Sequence, residues 1–347
     1  MNKAGNKYSI IIQTKYIKMG IKYLNGFLRE NSPNSIKCIN MADLSGKKIA
    51  VDISIYMYKF EGENSLIENM YLMLSIFRYY NITPIFIFDG KPPAEKKELL
   101  IKRKEDKMKA EKEYNVLNTT LASSSNIDDN EKQEILNNMD ELKKKFVYIN
   151  KEHINQVKIL IRAYGSTYYD APGEADELCA MLAIEEKVWG CLSEDMDMFV
   201  YGCPRVLRYF SLMNHTAVVY ELKGILLELG ITLKEFKEIC VLSGTDYNMH
   251  IEHSDDNPRL HQTLKLFKKY HKSVNPNDLD FYDWLLKHSK YISNHDLLKK
   301  SFKMFDLSEK NNKLQVFEKI KIMNGIIVAD MMRPILEEVG FIFPPLI

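Results

Sequence analysis

The sequence predicts an α/β fold in which a mainly parallel central sheet is flanked by helices. Four short apolar runs have the composition of buried strands. They cover residues 47–53, 84–88, 166–169 and 188–192. Stretches with helical periodicity lie among them, at residues 66–80, 155–164 and 174–187. Because strands that alternate with helices usually pair in parallel, this order predicts one sheet with helices on both faces.

A polar segment interrupts the alternation after the second strand. Residues 94–114 contain almost no glycine or proline and are predicted to be helical. Residues 121–126 have the composition of a break, and a second helix is predicted from residue 129 to about residue 145. The segment is too hydrophilic to be buried, so we expect a helical insertion that projects from the sheet. Beyond Asp246 the pattern is largely helical, with one clear helix at residues 260–272.

The predicted organisation has five parts. They are a leader at residues 1–18, a core in two pieces at 19–93 and 151–247, the helical insertion at 94–150 and a helical C-terminal region at 248–347. The leader lacks acids and has four lysines around an apolar patch. Because it is short and has no arginine, we interpret it as a disordered leader before an internal start at Met19 rather than a mitochondrial transit peptide.

Composition limits the class of protein. A net charge of +1 over 347 residues gives no global attraction for nucleic acid, so such binding has to come from local basic patches. The five cysteines are scattered, which suits a reducing compartment and argues against a disulfide framework or a zinc site. No apolar stretch is long enough to span a bilayer. We therefore expect an intracellular protein that does not enter a membrane.

Acidic residues occur where the predicted strands end and at two further points. They are Asp52, Asp89, Glu174, Asp176, Asp195, Asp197 and Asp246. Glu174 and Asp176 would also suit a helix start, where acids are favoured. Together, however, carboxylates at one edge of a parallel sheet repel each other unless cations neutralise them. Oxygen-only ligands suit Mg²⁺, with Mn²⁺ as a substitute. Two such ions about 3.5–4 Å apart can activate water and stabilise a leaving oxygen, which predicts phosphodiester hydrolysis.

Six short motifs accompany these acids in order along the chain. They are Met19-Gly20-Ile21-Lys22-Tyr23-Leu24, Ala50-Val51-Asp52-Ile53-Ser54, Phe88-Asp89-Gly90-Lys91-Pro92-Pro93, Ala171-Pro172-Gly173-Glu174-Ala175-Asp176, Ser193-Glu194-Asp195-Met196-Asp197 and Gly244-Thr245-Asp246-Tyr247. This series resembles the motifs of flap endonucleases, the XPG-type structure-specific 5′ nucleases of replication and repair. The resemblance covers residues 19–247 and implies the PIN-like 5′-nuclease fold. The Asn-, Ile- and Lys-rich composition is most similar to members carried by large DNA viruses.

The resemblance implies roles for the seven acids. The implied ligands are Asp52, Asp89 and Asp176 for one metal ion, Asp195 and Asp197 for the second, and Glu174 and Asp246 to complete the cluster. Asp89 and Asp195 also count among the implied catalytic residues. The family usually has Glu where Asp176 stands, so the shorter side chain is expected to shift the metal or to interpose a water.

The resemblance also implies residues that contact DNA. In the family the insertion is a helical arch, through or under which a single-stranded 5′ end passes. Lys96 and Arg103 match its basic catalytic residues, which face the scissile phosphate and stabilise developing charge. Gly20 matches a residue near the cleaved phosphate, and Tyr58 matches an aromatic residue that stacks on a base. From composition alone, a solvated helix and a core tyrosine remain alternatives.

Two features of the family are missing from the sequence. Residues 248–258 contain no glycine, so the glycine turn that binds a monovalent cation and duplex DNA is not supported. Duplex anchoring is instead expected from Lys265, Lys268 and Lys269 on the following helix. No glutamine-led, double-aromatic sliding-clamp motif occurs at the C-terminus, and a monomer is expected.

The leading hypothesis is a metal-dependent 5′ flap endonuclease with 5′→3′ exonuclease activity on branched, flapped or nicked DNA. It would act in replication, repair or recombination at sites of DNA replication, in the nucleus or in a cytoplasmic viral factory. One alternative is a catalytically inactive protein of the same fold that binds DNA junctions, and another is a metal-dependent phosphatase for small molecules. The intact acids argue against the first alternative, and the helical insertion argues against the second.

Overall fold

The computed structural model of the chain describes residues 21–123, 129–247, 259–273, 279–292, 294–308, 315–317 and 319–343. Within these residues seven strands form one sheet. The strands are β1 (Ile36–Asn40), β2 (Lys48–Asp52), β3 (Thr83–Phe88), β4 (Thr167–Asp170), β5 (Gly190–Leu192), β6 (Arg205–Ser211) and β7 (Thr216–Glu221). Their order across the sheet is β1-β7-β6-β5-β2-β3-β4.

The sheet is mainly parallel, as the sequence predicts. Strands β4, β3, β2, β5 and β6 pair in parallel, whereas β7 runs antiparallel to both β6 and β1. All four predicted strands are present. The sequence analysis missed the three strands β1, β6 and β7, and β6 shows why: it contains Arg208, which is buried although charged. Its guanidinium donates to the backbone oxygen of Glu194 and to the side chain of Asn25, contacts that no local pattern reveals.

Fourteen helices occur in the described part of the chain. They are α1 (Leu24–Asn31), α2 (Ile53–Gly62), α3 (Leu66–Tyr79), α4 (Lys97–Ser123), α5 (Asp129–Lys143), α6 (Lys151–Ala163), α7 (Ala175–Ile184), α8 (Asp197–Tyr201), α9 (Leu222–Leu229), α10 (Leu233–Ser243), α11 (Arg259–Ser273), α12 (Phe281–His288), α13 (His295–Met304) and α14 (Ala329–Glu338). None of these helices is both long enough and apolar enough to cross a membrane.

Two hydrophobic cores lie on opposite faces of the sheet. Along β2, Ala50 joins one core, and Ile49 and Val51 join the other, because successive side chains of a strand point to opposite faces. The first core contains α7, α8 and α10, with α11 to α13 packed beside them. The second contains α2, α3, α6 and α14. Helices therefore cover both faces of the sheet.

Helices α4 and α5 pair with each other in the predicted insertion, and we call this pair the arch. Most of its described side chains are exposed, with Ala110, Met139 and Leu142 among the few that are buried. This agrees with the predicted hydrophilic helical insertion. The five-part division of the chain stays a prediction.

The last described segment crosses back to the core. The amide of Gly325 donates to the carbonyl of Gly165 at 2.7 Å, and the amide of Val328 donates to that of Ala163 at 2.7 Å. Helix α14 then packs on α6 and α3, with Leu336 fully buried in the second core. The described residues of the predicted C-terminal helical region therefore contact both faces of the fold.

Candidate metal centre

Three neighbouring strands bring the first acids together. Asp52 is the last residue of β2, Asp89 follows β3 directly, and Asp195 lies three residues after β5. Strand β2 pairs in parallel with both β3 and β5, so the carboxyl ends of all three strands meet at one edge of the sheet. Asp52 and Asp195 are buried, and Asp89 is exposed. The acids that the sequence places at strand ends therefore lie at one edge of the sheet, and their role as metal ligands stays a prediction.

The start of α7 is joined to the same edge through Asp89. Its carboxylate accepts a hydrogen bond from the amide of Ala175 at 2.8 Å. Next to it, the amide of Gly90 donates to the carbonyl of Gly173 at 2.7 Å. A Cβ atom at Gly90 would lie 1.9 Å from the carbonyl oxygen of Ala171, so only glycine permits this close approach. The contact holds Glu174 and Asp176 beside the strand ends.

Ser193 organises the acids after β5, and the sequence analysis assigned it no role. Its hydroxyl donates to the carboxylate of Asp52 at 2.9 Å and accepts from the amide of Asp195 at 3.1 Å. The carboxylate of Asp195 in turn accepts from the amide of Asp197 at 2.8 Å. The available signal was the position of Ser193, directly after β5 and two residues before Asp195.

Two basic residues of the insertion pair with the remaining acids. The Nζ atom of Lys96 lies 2.6 Å from a carboxylate oxygen of Glu174 and 3.7 Å from one of Asp246. The guanidinium of Arg103 on α4 donates to Asp246 at 2.9 Å. Lys96 is only 6% exposed. The structure therefore brings both predicted basic residues into the carboxylate cluster.

Tyr247 contacts both Glu174 and Lys96, and the sequence analysis assigned it no role. Its hydroxyl donates to Glu174, and it is also paired at 2.8 Å with the hydroxyl of Tyr201. The ring of Tyr247 lies 4.9 Å from the ammonium of Lys96, which is a cation–π contact. Its position directly after Asp246 was the signal in the sequence.

Burial and mutual repulsion raise the pKa values of the clustered acids. Desolvation, followed by the charge of Asp89, raises the pKa of Asp52 to about 8. Desolvation and neighbouring carboxylates likewise raise the pKa values of Asp176, Asp195 and Asp197. Burial alone would lower the pKa of the Lys96 ammonium group. The charges of Glu174 and other acids outweigh this effect, so the pKa is raised above its usual value. The centre thus favours the binding of cations, and without them its carboxyl groups resist ionisation.

Three carboxylate oxygens of the cluster are buried without a hydrogen-bond partner. They are one oxygen of Asp176 and both oxygens of Asp197. Buried oxygens of this kind are costly unless a partner satisfies them. All the candidate metal ligands are carboxylate oxygens, which are the ligands that Mg²⁺ and Mn²⁺ prefer. Among the described residues, no three acidic, histidine or cysteine side chains form a ready metal-binding group. Lys96 and Arg103 instead pair with Glu174 and Asp246 and neutralise their charges. The donor chemistry therefore fits a divalent cation.

The other predicted DNA-binding residues lie on α2 and α11 or outside the described residues. Tyr58 on α2 is 36% exposed, and its ring lies 4.6 Å from the ammonium of Lys107 on α4. The predicted anchoring lysines are exposed on α11, which packs on α10. These are Lys265, Lys268 and Lys269. Gly20, the leader and the glycine-free segment at residues 248–258 lie outside the described residues. All these roles stay predictions.

Sequence families match both halves of the core. The XPG N-terminal domain matches residues 19–110, and the XPG I-region matches residues 165–246. The chain is 33% identical over 248 residues to flap endonuclease 1 of Glycine max, an alignment that covers 66% of this chain and 62% of that protein. It is 32% identical to flap endonuclease 1 of Encephalitozoon cuniculi (strain GB-M1), with 66% of this chain and 68% of that protein covered. The chain thus spans about three fifths of the length of the first of these relatives.

Solved structures share the fold. The catalytic core of Rad2 in complex with DNA substrate superposes with a TM-score of 0.59 at 21% identity, covering 92% of this chain and 94% of that one. Human GEN1 in complex with Holliday junction DNA gives a TM-score of 0.56 at 18% identity, covering 93% and 74%. Flap endonuclease-1 from Methanococcus jannaschii gives 0.51 at 21% identity, covering 87% and 94%. At these identities the likeness concerns the fold alone.

Proposed function

Because this chain belongs to the XPG-type flap endonuclease family, we propose that it is a divalent-metal-dependent, structure-specific nuclease. It hydrolyses a phosphodiester bond at the base of a single-stranded 5′ arm on DNA, and it removes nucleotides from 5′ ends of nicked DNA. The activity serves replication, repair or recombination of DNA. One observation carries the proposal: seven carboxylates, three of whose oxygens are buried without a partner, meet at one edge of the sheet beside the base of the arch.

The proposed metal ligands are the clustered acids. They are Asp52, Asp89, Glu174, Asp176, Asp195, Asp197 and Asp246, in two groups around two Mg²⁺ ions. Divalent cations bound there supply the charge that activates water and stabilises the leaving oxygen of phosphodiester hydrolysis. Mn²⁺ has the same preference for oxygen ligands and is a proposed substitute. Ser193 and Tyr247 hold the acids in place through their hydrogen bonds.

Lys96 and Arg103 have a second role in this proposal. Both pair with carboxylates in the structure, Lys96 directly precedes α4 and Arg103 lies on α4, so we propose that both face the strand that enters the centre. With divalent cations bound to the acids, Lys96 and Arg103 would be free to bind the scissile phosphate. Arg103 offers a planar fork to phosphate oxygens, whereas Lys96 is a point charge.

Binding of DNA is proposed to depend on the phosphate backbone and on the shape of the junction. The exposed lysines of α11 would anchor the duplex, and Tyr58 would stack on a base beside the cleavage site. Because net charge is only +1, this binding depends on local patches and weakens as salt concentration rises. The protein is proposed to act as a monomer where DNA is replicated.

A protein of the same fold that binds junctions without cutting them is the second candidate. The observation that favours it is the pairing of Lys96 and Arg103 with Glu174 and Asp246, together with the absence of a ready three-ligand group among the described residues. In that case Lys96 would be a permanent counter-ion of the acids. The nuclease would bind and cut junction DNA, whereas the second candidate would only bind it.

The deciding experiment incubates the full-length protein with a 5′-labelled double-flap duplex, in Mg²⁺ and in EDTA. The proposal expects cleavage near the base of the flap in Mg²⁺ only. Asp195→Ala is expected to lower the single-turnover rate by about 10²-fold or more, because it removes a ligand of the centre. Glu221→Gln, an exposed acid at the end of β7, is the matched control and should cleave like the wild type.

Two results would change this conclusion. Tight binding of the flap without cleavage in either Mg²⁺ or Mn²⁺ would support the junction-binding candidate. Release of phosphate from a mononucleotide, with no requirement for a duplex, would instead support a phosphatase.

A further inference from the structure

Two tyrosines from distant segments direct their rings at one ammonium group. The Nζ atom of Lys107 lies 4.6 Å from the ring centroid of Tyr58 and 5.4 Å from that of Tyr148. Tyr58 belongs to α2 of the core, Lys107 to α4 of the arch, and Tyr148 to the segment between α5 and α6. The base of the arch therefore carries a pair of aromatic rings that share one cation.

One ring of the pair, Tyr58, lies within electrostatic range of the metal centre. Burial and the charge of Asp89 raise the pKa of Tyr58, and Arg103 acts in the opposite direction. Burial and Arg103 also lower the pKa of Lys107. Tyr58 is thus coupled to an acid and a base of the centre, and Tyr148 faces the same ammonium group as Tyr58.

Both rings keep an accessible surface. Tyr58 is 36% exposed and Tyr148 is 49% exposed, whereas Tyr56, two residues before Tyr58, is fully buried in the core. The orientation of Tyr148 is fixed because its hydroxyl donates to Glu111 at 3.0 Å. Lys107 is held at the rings by a 2.8 Å hydrogen bond to the carbonyl of Val147. Core packing does not explain an exposed, oriented ring of this kind.

Resting on the proposed function, we propose that Tyr58 and Tyr148 form a two-sided clamp for one unpaired nucleobase of the strand that enters the metal centre. An aromatic face that attracts a cation is also a face on which a base stacks. Lys107 fills the clamp in this structure. When a base enters, the flexible side chain of Lys107 moves its ammonium group to the phosphate of the same nucleotide. Tyr148 is then a positioning residue for the cut.

The test uses 2-aminopurine placed singly at successive positions on either side of the flap junction, because its fluorescence is quenched by stacking. The full-length protein is mixed with each DNA in Ca²⁺, an oxygen-binding cation, and gels check that the DNA stays intact. Quenching is expected at one position. Tyr148→Ala should abolish it and weaken binding about tenfold, which lies in the range for a stacked base. Tyr148→Phe keeps the ring and loses only the hydrogen bond to Glu111, so it should retain most of the quenching and of the binding affinity.

A substrate with an abasic nucleotide at the quenched position separates stacking from a structural role. With no base to stack, Tyr148→Ala should bind this DNA within about twofold of the wild type. The matched control is Tyr79→Ala, which removes an 80% exposed tyrosine from the end of α3 and should behave like the wild type on every substrate.

The possible results give distinct conclusions. Equal losses for Tyr148→Ala on normal and abasic DNA overturn the clamp and assign Tyr148 to arch stability. Absence of quenching at every position, in a wild-type protein that cuts flaps in Mg²⁺, overturns the clamp and leaves the proposed function standing. A wild-type protein that neither binds nor cuts flapped DNA overturns both.

Discussion

Lys96 and Glu174 form an ion pair within the carboxylate cluster, with the ammonium nitrogen of the buried lysine 2.6 Å from the carboxylate oxygen. Lys96 stands at the start of the arch, and Glu174 is the residue before α7, so the pair joins the arch to the core. Burial works to lower the pKa of this lysine, but Glu174 and the other acids raise it, and the ammonium stays charged. Lys96 is therefore a counter-ion of the carboxylate cluster.

Loss of this counter-ion should make folding depend on metal. Lys96→Met removes one partner of a buried pair, so in EDTA we expect the free energy of unfolding to fall by about 3 kcal/mol. Mg²⁺ should restore most of that loss, because it neutralises the same acids. Urea unfolding in EDTA and in Mg²⁺ measures both values. Lys97→Met, which changes the adjacent exposed lysine, is the control, and a variant as stable as the wild type in EDTA would refute the counter-ion role.

Arg103 is expected to need its guanidinium rather than its charge alone. It contacts Asp246 at 2.9 Å, and in the proposed function it then binds phosphate with a planar fork that lysine lacks. Arg103→Lys should lower the single-turnover cleavage rate by roughly tenfold, and Arg103→Ala should lower it further. Lys104→Ala, at the exposed neighbouring position, serves as the comparison. Full activity of Arg103→Lys would show that a point charge is sufficient.

The lysines of α11 should contribute to binding through salt-dependent contacts with phosphate. Changing both Lys268 and Lys269 to alanine removes two exposed charges, so the slope of log affinity against log salt should decrease by up to about 2. Fluorescence anisotropy with a labelled duplex at several salt concentrations gives this slope. The same change at Lys47 and Lys48, at the opposite edge of the sheet from the metal centre, is the matched control. Equal slopes for both double variants would rule out α11 as the duplex anchor.

The buried carboxyl group of Glu238 should make the stability of the fold depend on pH. Its burial on α10 raises its pKa from 4.5 to about 7; Asp280 acts in the same direction, and Lys234 acts in the opposite one. The folded protein therefore holds a proton that the unfolded chain releases between these values, and the stabilisation present below pH 4.5 is lost as pH rises towards 7. Glu238→Gln removes this effect. Relative to the wild type, the variant should gain on the order of 2 kcal/mol between pH 5 and pH 8.

Urea unfolding of both proteins across this pH range measures that difference. Glu221→Gln, at an exposed acid, should run parallel to the wild type. If the difference between Glu238→Gln and the wild type stays constant with pH, Glu238 does not hold a proton in the folded state.

Local patterns were sufficient for the central strands and for most of the acids. Strands β2 and β3 are continuous apolar runs because both of their faces are buried, and each is followed or ended by an aspartate. Strand β1 could not be found in this way. It lies at the edge of the sheet, its residues are mostly half-exposed or exposed, and its pattern has no apolar alternation to detect.

The sequence by itself determined the four strands β2 to β5, the family and the identity of the clustered acids, because strand periodicity and contiguous motifs depend only on near neighbours. The tertiary structure alone decided that Lys96 pairs with Glu174, that Ser193 links Asp52 to Asp195, and that Tyr148 joins Tyr58. Each of these contacts joins side chains from different segments. Their distances depend on how sheet, helices and arch pack together, and that information is absent from any local pattern.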